Sequence, residues 1–209
     1  MTLSTRLILA SASPRRRELL RAVGVPFRVV PSRIEEIPRP GEPPLRFVRR
    51  AAREKAEEVA ARNPSSFVLS ADTIVVAKGK ILGKPADRKE GRRMLSLLAG
   101  HEHLVHTAAC LHRADGGYRD GLCVTTRVRF RHLTKREIAA YLRTGESDDK
   151  AGAYAAQGAG TLLIDRICGS FTNVVGLPMT QTLAMLLRAG LIAVSRKGPG
   201  WYDLTGRRS

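Results

Sequence analysis

The segment Leu9-Ala10-Ser11-Ala12-Ser13-Pro14-Arg15-Arg16-Arg17-Glu18-Leu19-Leu20 constrains the fold more than any other part of the chain. A short apolar strand, Leu7 to Ala10, runs directly into a helix that starts near Pro14. Ser13 has the chemistry of an N-cap, proline suits the first helical turn, and Leu19, Leu20 and Val23 form a buried face. The first turn nevertheless holds three arginines. The free amides there already carry the positive end of the helix dipole, and each cation facing it costs roughly 0.3–1 kcal/mol if nothing compensates. Amides, two serine hydroxyls and guanidiniums at one point favour a polyanion such as a phosphate chain. The other reading is a solvated basic face turned away from the helix end.

Further along, the pattern predicts a strand at Phe27 to Val30 and a long helix from Leu45 to Arg62, apolar on the Phe47, Val48, Ala52, Ala56 and Val59 side. Pro38 to Pro44 reads as an extended loop. Phe67 to Ala77 reads as a strand, with a turn at Lys78-Gly79-Lys80 into Ile81-Leu82. A helix is predicted from Arg88 to Leu98. Strands at His103 to Arg113 and Tyr118 to Arg131 are joined by Ala114-Asp115-Gly116-Gly117. Lys135 to Arg143 is helical, Gly152 to Gly176 irregular with a short strand at Leu162 to Ile164, and a last helix runs from Pro178 to Gly190. Interspersed strands and helices with at least one hairpin predict an α/β fold with a mixed sheet. One domain is expected over 1–195. The basic tail, 196–209, carries little pattern and is expected to be flexible, with Trp201 and Tyr202 as candidates for docking.

The chain has 209 residues, 43% hydrophobic and 26% charged, enough for a sizeable core. No segment approaches the roughly 18 uncharged apolar residues of a membrane span, and no export signal is read at Met1 to Leu7. Cys110, Cys123 and Cys168 are odd in number and widely spaced, which argues against a disulfide framework and for a cytoplasmic location. Lysine and arginine number 36 against 19 acidic residues, a net charge of +17 that attracts nucleotides, nucleic acids and acidic surfaces alike. The arginines are spread out, as in Arg49-Arg50-Arg53 and Arg127-Arg129-Arg131.

Asp72 interrupts the apolar run Phe67 to Val76, where a carboxylate must be paired, hydrogen-bonded or bound to metal. Glu35-Glu36 follows in a polar turn after Pro31-Ser32. With Asp72, one of these could complete an oxygen site for Mg²⁺, which needs few protein carboxylates and accepts phosphate oxygens. Lys84, between Gly83 and Pro85, suits a point charge for phosphate, whereas Lys55 reads from its helix as solvated. Asp149 to Gly158 is dense in small residues that let backbone approach a ligand, and Gln157 has the groups to read a base edge. His101, His103 and His106 do not converge on a strand, so they make a poor zinc site. Nucleophile-elbow, phosphate-loop and nucleic-acid motifs are missing.

Taken together, the motifs resemble the Maf family of nucleoside triphosphate pyrophosphatases, from about Leu7 to Gly190. They run in order: Leu9 to Arg16 with Glu18-Leu19-Leu20; Ile34-Glu35-Glu36; Ala52-Arg53-Glu54-Lys55-Ala56; Ala71-Asp72-Thr73-Ile74-Val75; Leu82-Gly83-Lys84-Pro85; Asp149 to Tyr154 with Gln157-Gly158; and Asn173 to Pro178. The resemblance implies a mixed twisted sheet with flanking helices, two lobes around a cleft and kinship with inosine-triphosphate pyrophosphatases. It also implies a cytoplasmic homodimer, a divalent metal (Mg²⁺ or Mn²⁺) and an association with septum formation or division arrest. On it, Asp72 is the catalytic acid–base residue, and Ser11, Arg15, Arg16, Glu36, Lys55, Lys84 and Gln157 fall on substrate-site motifs, with Glu36 and Asp72 toward the metal. Arg15, Thr73 and Gln157 match the dTTP and UTP branch, Thr73 and Gln157 selecting the base; the 7-methyl-GTP branch is the alternative. A non-enzymatic nucleic-acid-binding protein is the rival class, less favoured because it leaves Asp72 and Glu36 beside the arginines unexplained. Glu35 stands where aspartate is common, Arg17 extends the arginine pair, and the tail after Gly190 matches nothing in the family.

Overall fold

A computed structural model describes residues 7–195 and 202–204. Its centre is a mixed seven-stranded sheet. Strand β1 (Leu7–Leu9) pairs in parallel with β2 (Arg28–Val29) on one side and with the start of β3 (Phe67–Ala77) on the other. Beyond β3 the pairing is antiparallel, through β5 (Glu102–Arg113), β6 (Tyr118–Phe130) and β7 (Ile164–Cys168), while β4 (Lys80–Leu82) folds back onto the end of β3. Helices α1 (Pro14–Ala22) and α2 (Pro44–Ala61) make the connections between the parallel strands. Helices α3 (Arg88–Leu98), α4 (Lys135–Arg143), α5 (Phe171–Val175) and α6 (Met179–Arg188) complete the layers, and β8 (Ile192–Val194) closes the main chain path.

Alternation along β3 determines what each side chain meets. Val68, Ile74 and Val76 pack under α2 with Phe47, Val48, Ala52, Ala56 and Val59. On the other face, Leu69 and Ala71 pack with Leu20 of α1 and Met185 and Leu186 of α6, whereas Val75 and Ala77 pack with Met94, Leu95 and Leu98 of α3 and Tyr141 and Leu142 of α4. Two packed halves thus share one long strand.

That strand is also where the sheet opens. Leu7 to Leu9 register with Phe67 to Leu69, and Leu82 to Lys80 register with Val75 to Ala77 on the same edge. Among the described residues, Ser70 to Ile74 have no strand neighbour there, so backbone carbonyls face a gap that must be satisfied otherwise.

Several sequence expectations shift. Ser13 does not cap α1 with its side chain; its amide instead donates to Ser11 Oγ (3.2 Å), which leaves the helix N-terminus open. The strand expected at Leu162 to Ile164 lies at Ile164–Cys168, because a 3-10 turn occupies Gly158–Leu163. The irregular region also hides α5, whose N-cap is Ser170 accepting from Asn173 N (3.2 Å). Of the tail, Tyr202–Leu204 forms β9, antiparallel to β8, with Tyr202 packed on the core; the remaining tail residues, Trp201 among them, lie outside the described residues. No helix among the described residues is long and apolar enough to cross a membrane.

Candidate active site

The gap in β3 is the floor of a cleft of about 870 Å³. Its walls come from both halves of the sheet: the β1–α1 turn, the loop around Glu36, the β4–α3 loop at Lys84, and the loop at Asp149 to Ala151. Asp72 is 3% exposed and points to the α2 face, where Lys55 Nζ meets its Oδ1 at 2.8 Å. Lys55 is itself 5% exposed and also pairs with Glu36 Oε1 and the Ala71 carbonyl (3.5 Å), so it is not the solvated lysine its helix suggested. One ammonium therefore bridges two carboxylates. Burial pushes the Asp72 carboxyl above its usual range; Lys55 opposes this and Glu36 adds to it. Burial also works against ionisation of Glu36, but the charge and hydrogen bond of Lys55, with the hydrogen bond to Asp72, outweigh it and hold Glu36 low.

Thr73, next along the strand, points to the opposite face and meets α1. Arg16 Nη2 donates to its Oγ1 (3.0 Å), Nη1 donates to Ser11 Oγ (3.2 Å) and to the Ala71 carbonyl (2.9 Å), and Nε donates to Gly176 O (2.7 Å). A guanidinium thus satisfies the Ala71 carbonyl on the open edge of β3. Burial lowers the Arg16 pKa, with Asp72 and Glu36 opposing the shift. Arg15 and Lys84 line the same cleft and make no hydrogen bond or ion pair among the described residues, leaving their donors available. With no acidic residue in its first turn and no side-chain cap, the N-terminus of α1 adds amides to this cationic wall.

The far wall is held by close backbone contact. Gly152 N donates to Gly83 O (3.0 Å), tying the Lys84 loop to the Asp149 loop. Gly152 has φ +71°, and a Cβ there would lie 3.1 Å from Val75 Cγ1. Ala153, fully buried, holds φ +60°, a local strain of the kind found near functional sites.

Ser11, Arg15, Arg16, Glu36, Lys55, Asp72, Thr73 and Lys84 all line the cleft; Gln157 does not. Gln157 is half-buried, just before the 3-10 turn that Glu146 holds through Ala159 N (3.0 Å) and Gly160 N (3.2 Å). Thr73, expected to read a base, has its hydroxyl engaged by Arg16 and Thr107. The sequence reading also missed the roles of the Ala71 and Gly176 carbonyls. Backbone acceptors have no side-chain signature, although Gly176 lies inside a quoted motif.

The carboxylate oxygens of Asp72 and Glu36, brought together by one ammonium, fit a hard divalent cation that keeps waters and shares phosphate oxygens. Among the described residues there is no cluster of three or more His, Cys, Asp or Glu side chains, so an all-protein cage is not what this site offers.

The Maf-like protein family model matches residues 6–189. The chain belongs to the Maf family. Similar relatives include proteins named dTTP/UTP pyrophosphatase from Myxococcus xanthus (49% identical over 187 residues, covering 90% of this chain and 94% of the relative) and Syntrophomonas wolfei (47% over 182 residues, 87% and 96%). A third, of the same name, from Geobacter sulfurreducens is 48% identical over 190 residues, covering 90% and 98%.

Proposed function

We propose that this Maf protein hydrolyses dTTP and UTP between the α- and β-phosphates, releasing the monophosphate and pyrophosphate. The observation that carries the reading is Asp72: a buried carboxylate with Oδ1 held by Lys55, at the floor of a cleft walled by arginines and an open helix end. Its second oxygen is the atom to take a proton from water attacking the α-phosphorus, and a raised pKa suits a general base. As the bond to the bridging oxygen breaks, charge grows on the leaving pyrophosphate. Arg15, Arg16, Lys84 and the amides of α1 face that charge. Asp72 and Glu36 are the residues to hold a Mg²⁺ or Mn²⁺ ion, which when bound would offset phosphate charge.

The names of the relatives support the pyrimidine substrates. Gln157 carries a neutral amide suited to the carbonyl and imide edge of uracil or thymine. It stands outside the cleft lining, just before the 3-10 turn that Glu146 holds. A panel of nucleoside triphosphates with Mg²⁺ or Mn²⁺, assayed for pyrophosphate against orthophosphate, tests the proposal. Pyrophosphate from dTTP and UTP, with little turnover of 7-methyl-GTP, is expected. Preference for 7-methyl-GTP would overturn the base assignment, and orthophosphate as the first product would overturn the bond assignment.

A further inference from the structure

We propose that Thr107 and Asn173, neither of which lines the cleft, are positioning residues that hold Arg16 at one angle by way of Thr73. The inference rests on the triphosphate-hydrolase reading above. A guanidinium has five N–H donors and no acceptor. Four of those of Arg16 are taken, by Gly176 O, Ser11 Oγ, Ala71 O and Thr73 Oγ1, leaving one N–H on Nη2 for a ligand. Because Arg16 can only donate, Thr73 Oγ1 accepts from it, and the Thr73 proton is free to go to Thr107 Oγ1 at 2.9 Å. Thr107 in turn donates to the Asn173 carbonyl at 2.9 Å. The Asn173 carbonyl, which can only accept, takes the single Thr107 proton, so Thr107 must accept from Thr73 and the sense of all three bonds is set.

The far end of this chain is fixed. Thr107 and Asn173 are both fully buried. The Asn173 side-chain amide donates to Val105 O (3.0 Å) and Thr126 Oγ1 (2.9 Å), and its backbone amide donates to Ser170 Oγ (3.2 Å). Asn173 belongs to α5, and the residue that ends α5, Gly176, supplies the acceptor for Arg16 Nε. One five-residue helix therefore grips the guanidinium from two directions, directly through Gly176 O and indirectly through Asn173, Thr107 and Thr73. Gly176 has φ +126°, a conformation that favours glycine, and its carbonyl is thereby presented to Arg16 Nε at 2.7 Å.

The chemical consequence is a division of labour between adjacent arginines. Arg15 is free to follow a mobile triphosphate, whereas Arg16 offers one donor at one place. A donor fixed before substrate arrives acts mainly on the charge that develops in the transition state. Loosening it should lower kcat more than it raises KM.

Thr107→Val removes the hydroxyl and keeps the shape; Thr107→Ser restores the hydroxyl. The valine variant should lose up to about 100-fold in kcat, as misplaced groups do, with KM near that of the wild type and a lower thermal midpoint, because the buried Asn173 carbonyl loses its donor. The serine variant should recover most of that loss. Because the effect passes through Thr73, Thr73→Val with Thr107→Val should be no worse than Thr73→Val alone. In parallel, NMR should show the Arg16 Nη2 protons, one of which is held by Thr73 Oγ1, exchanging slowly in the wild type and much faster in Thr107→Val, a readout that needs no turnover. An unchanged exchange rate, an unchanged kcat in an active enzyme, or losses at 73 and 107 that add in full would each overturn the proposal. A wild type that turns over no triphosphate but shows the exchange effect would sink the hydrolase reading and leave the positioning intact.

Discussion

Asp72 shows how much of this protein is decided by single side chains. A carboxylate at 3% exposure would be costly alone, and Lys55 compensates it at 2.8 Å without covering its second oxygen. Asp72→Asn keeps the shape and removes both the charge and the proton acceptor. Turnover should fall by about three orders of magnitude or more, within the range of a lost general base, with circular dichroism unchanged; a folded variant at near wild-type rate would remove Asp72 from the mechanism. Since burial raises the Asp72 pKa, kcat/KM should drop on the acid side at a pH above that of an ordinary aspartate, as the base becomes protonated. Arg15→Ala and Lys84→Ala remove charges that the fold itself does not use, so each should cost about 2–4 kcal/mol in kcat/KM without loss of stability. Unchanged kinetics in both would show that their side chains serve only the solvent. Asp72 was legible because an acid in an apolar strand demands a partner. Lys55 read as solvated from its helix, although it shares the side of Ala52, Ala56 and Val59; helical phase was the missing argument.

At the scale of elements, legibility followed length and periodicity. The bounds expected for the strand at Phe67–Ala77 and the helices at Arg88–Leu98 and Lys135–Arg143 are those observed, because each carries a long apolar stripe. Short pieces held by tertiary contact escaped: α5 has five residues, and β8 and β9 have three each. The gap between β1 and β4 was also invisible, since it arises from which strands meet and not from any local pattern. The loop at Ala151–Ala153 depends on such contact as well. Gly152→Ala combines a left-handed φ of +71° with a Cβ pressed 3.1 Å from Val75, so it should destabilise by more than about 1 kcal/mol and loosen the Lys84 loop bonded to it. A lower thermal midpoint with a raised KM is expected; a neutral substitution would show that the loop adapts freely.

The molecule as a whole carries +17, and acidification adds to that self-repulsion. Superimposed on it is a specific term from the core around α3 and α4. His103 is 2% exposed, lies edge-on to the rings of Phe130 and Tyr154, and shares a hydrogen bond between Nε2 and Tyr154 Oη (2.8 Å), while Nδ1 has no partner among the described residues. Burial pushes its pKa down from 6.5 to about 4. The folded state thus binds this proton less readily than the unfolded one, so the stabilisation is complete above pH 6.5 and is lost as pH falls from there through about 4. At about 1.4 kcal/mol per unit, the loss is at most about 3.5 kcal/mol. Asp72 acts with the opposite sign: its raised pKa makes the folded state the better proton acceptor, so its contribution favours the fold at low pH and fades as pH rises. Denaturant unfolding in the Asp72→Asn background removes that opposing contribution and leaves His103 together with His106, whose pKa burial also lowers, and with carboxylates held low such as Glu36 and Glu137. There, stability should fall between pH 6.5 and 4, and a further His103→Gln change, which keeps a partner for Tyr154 and cannot titrate, should make that fall shallower. An equally steep curve in the glutamine variant would remove His103 as a source of the acid sensitivity.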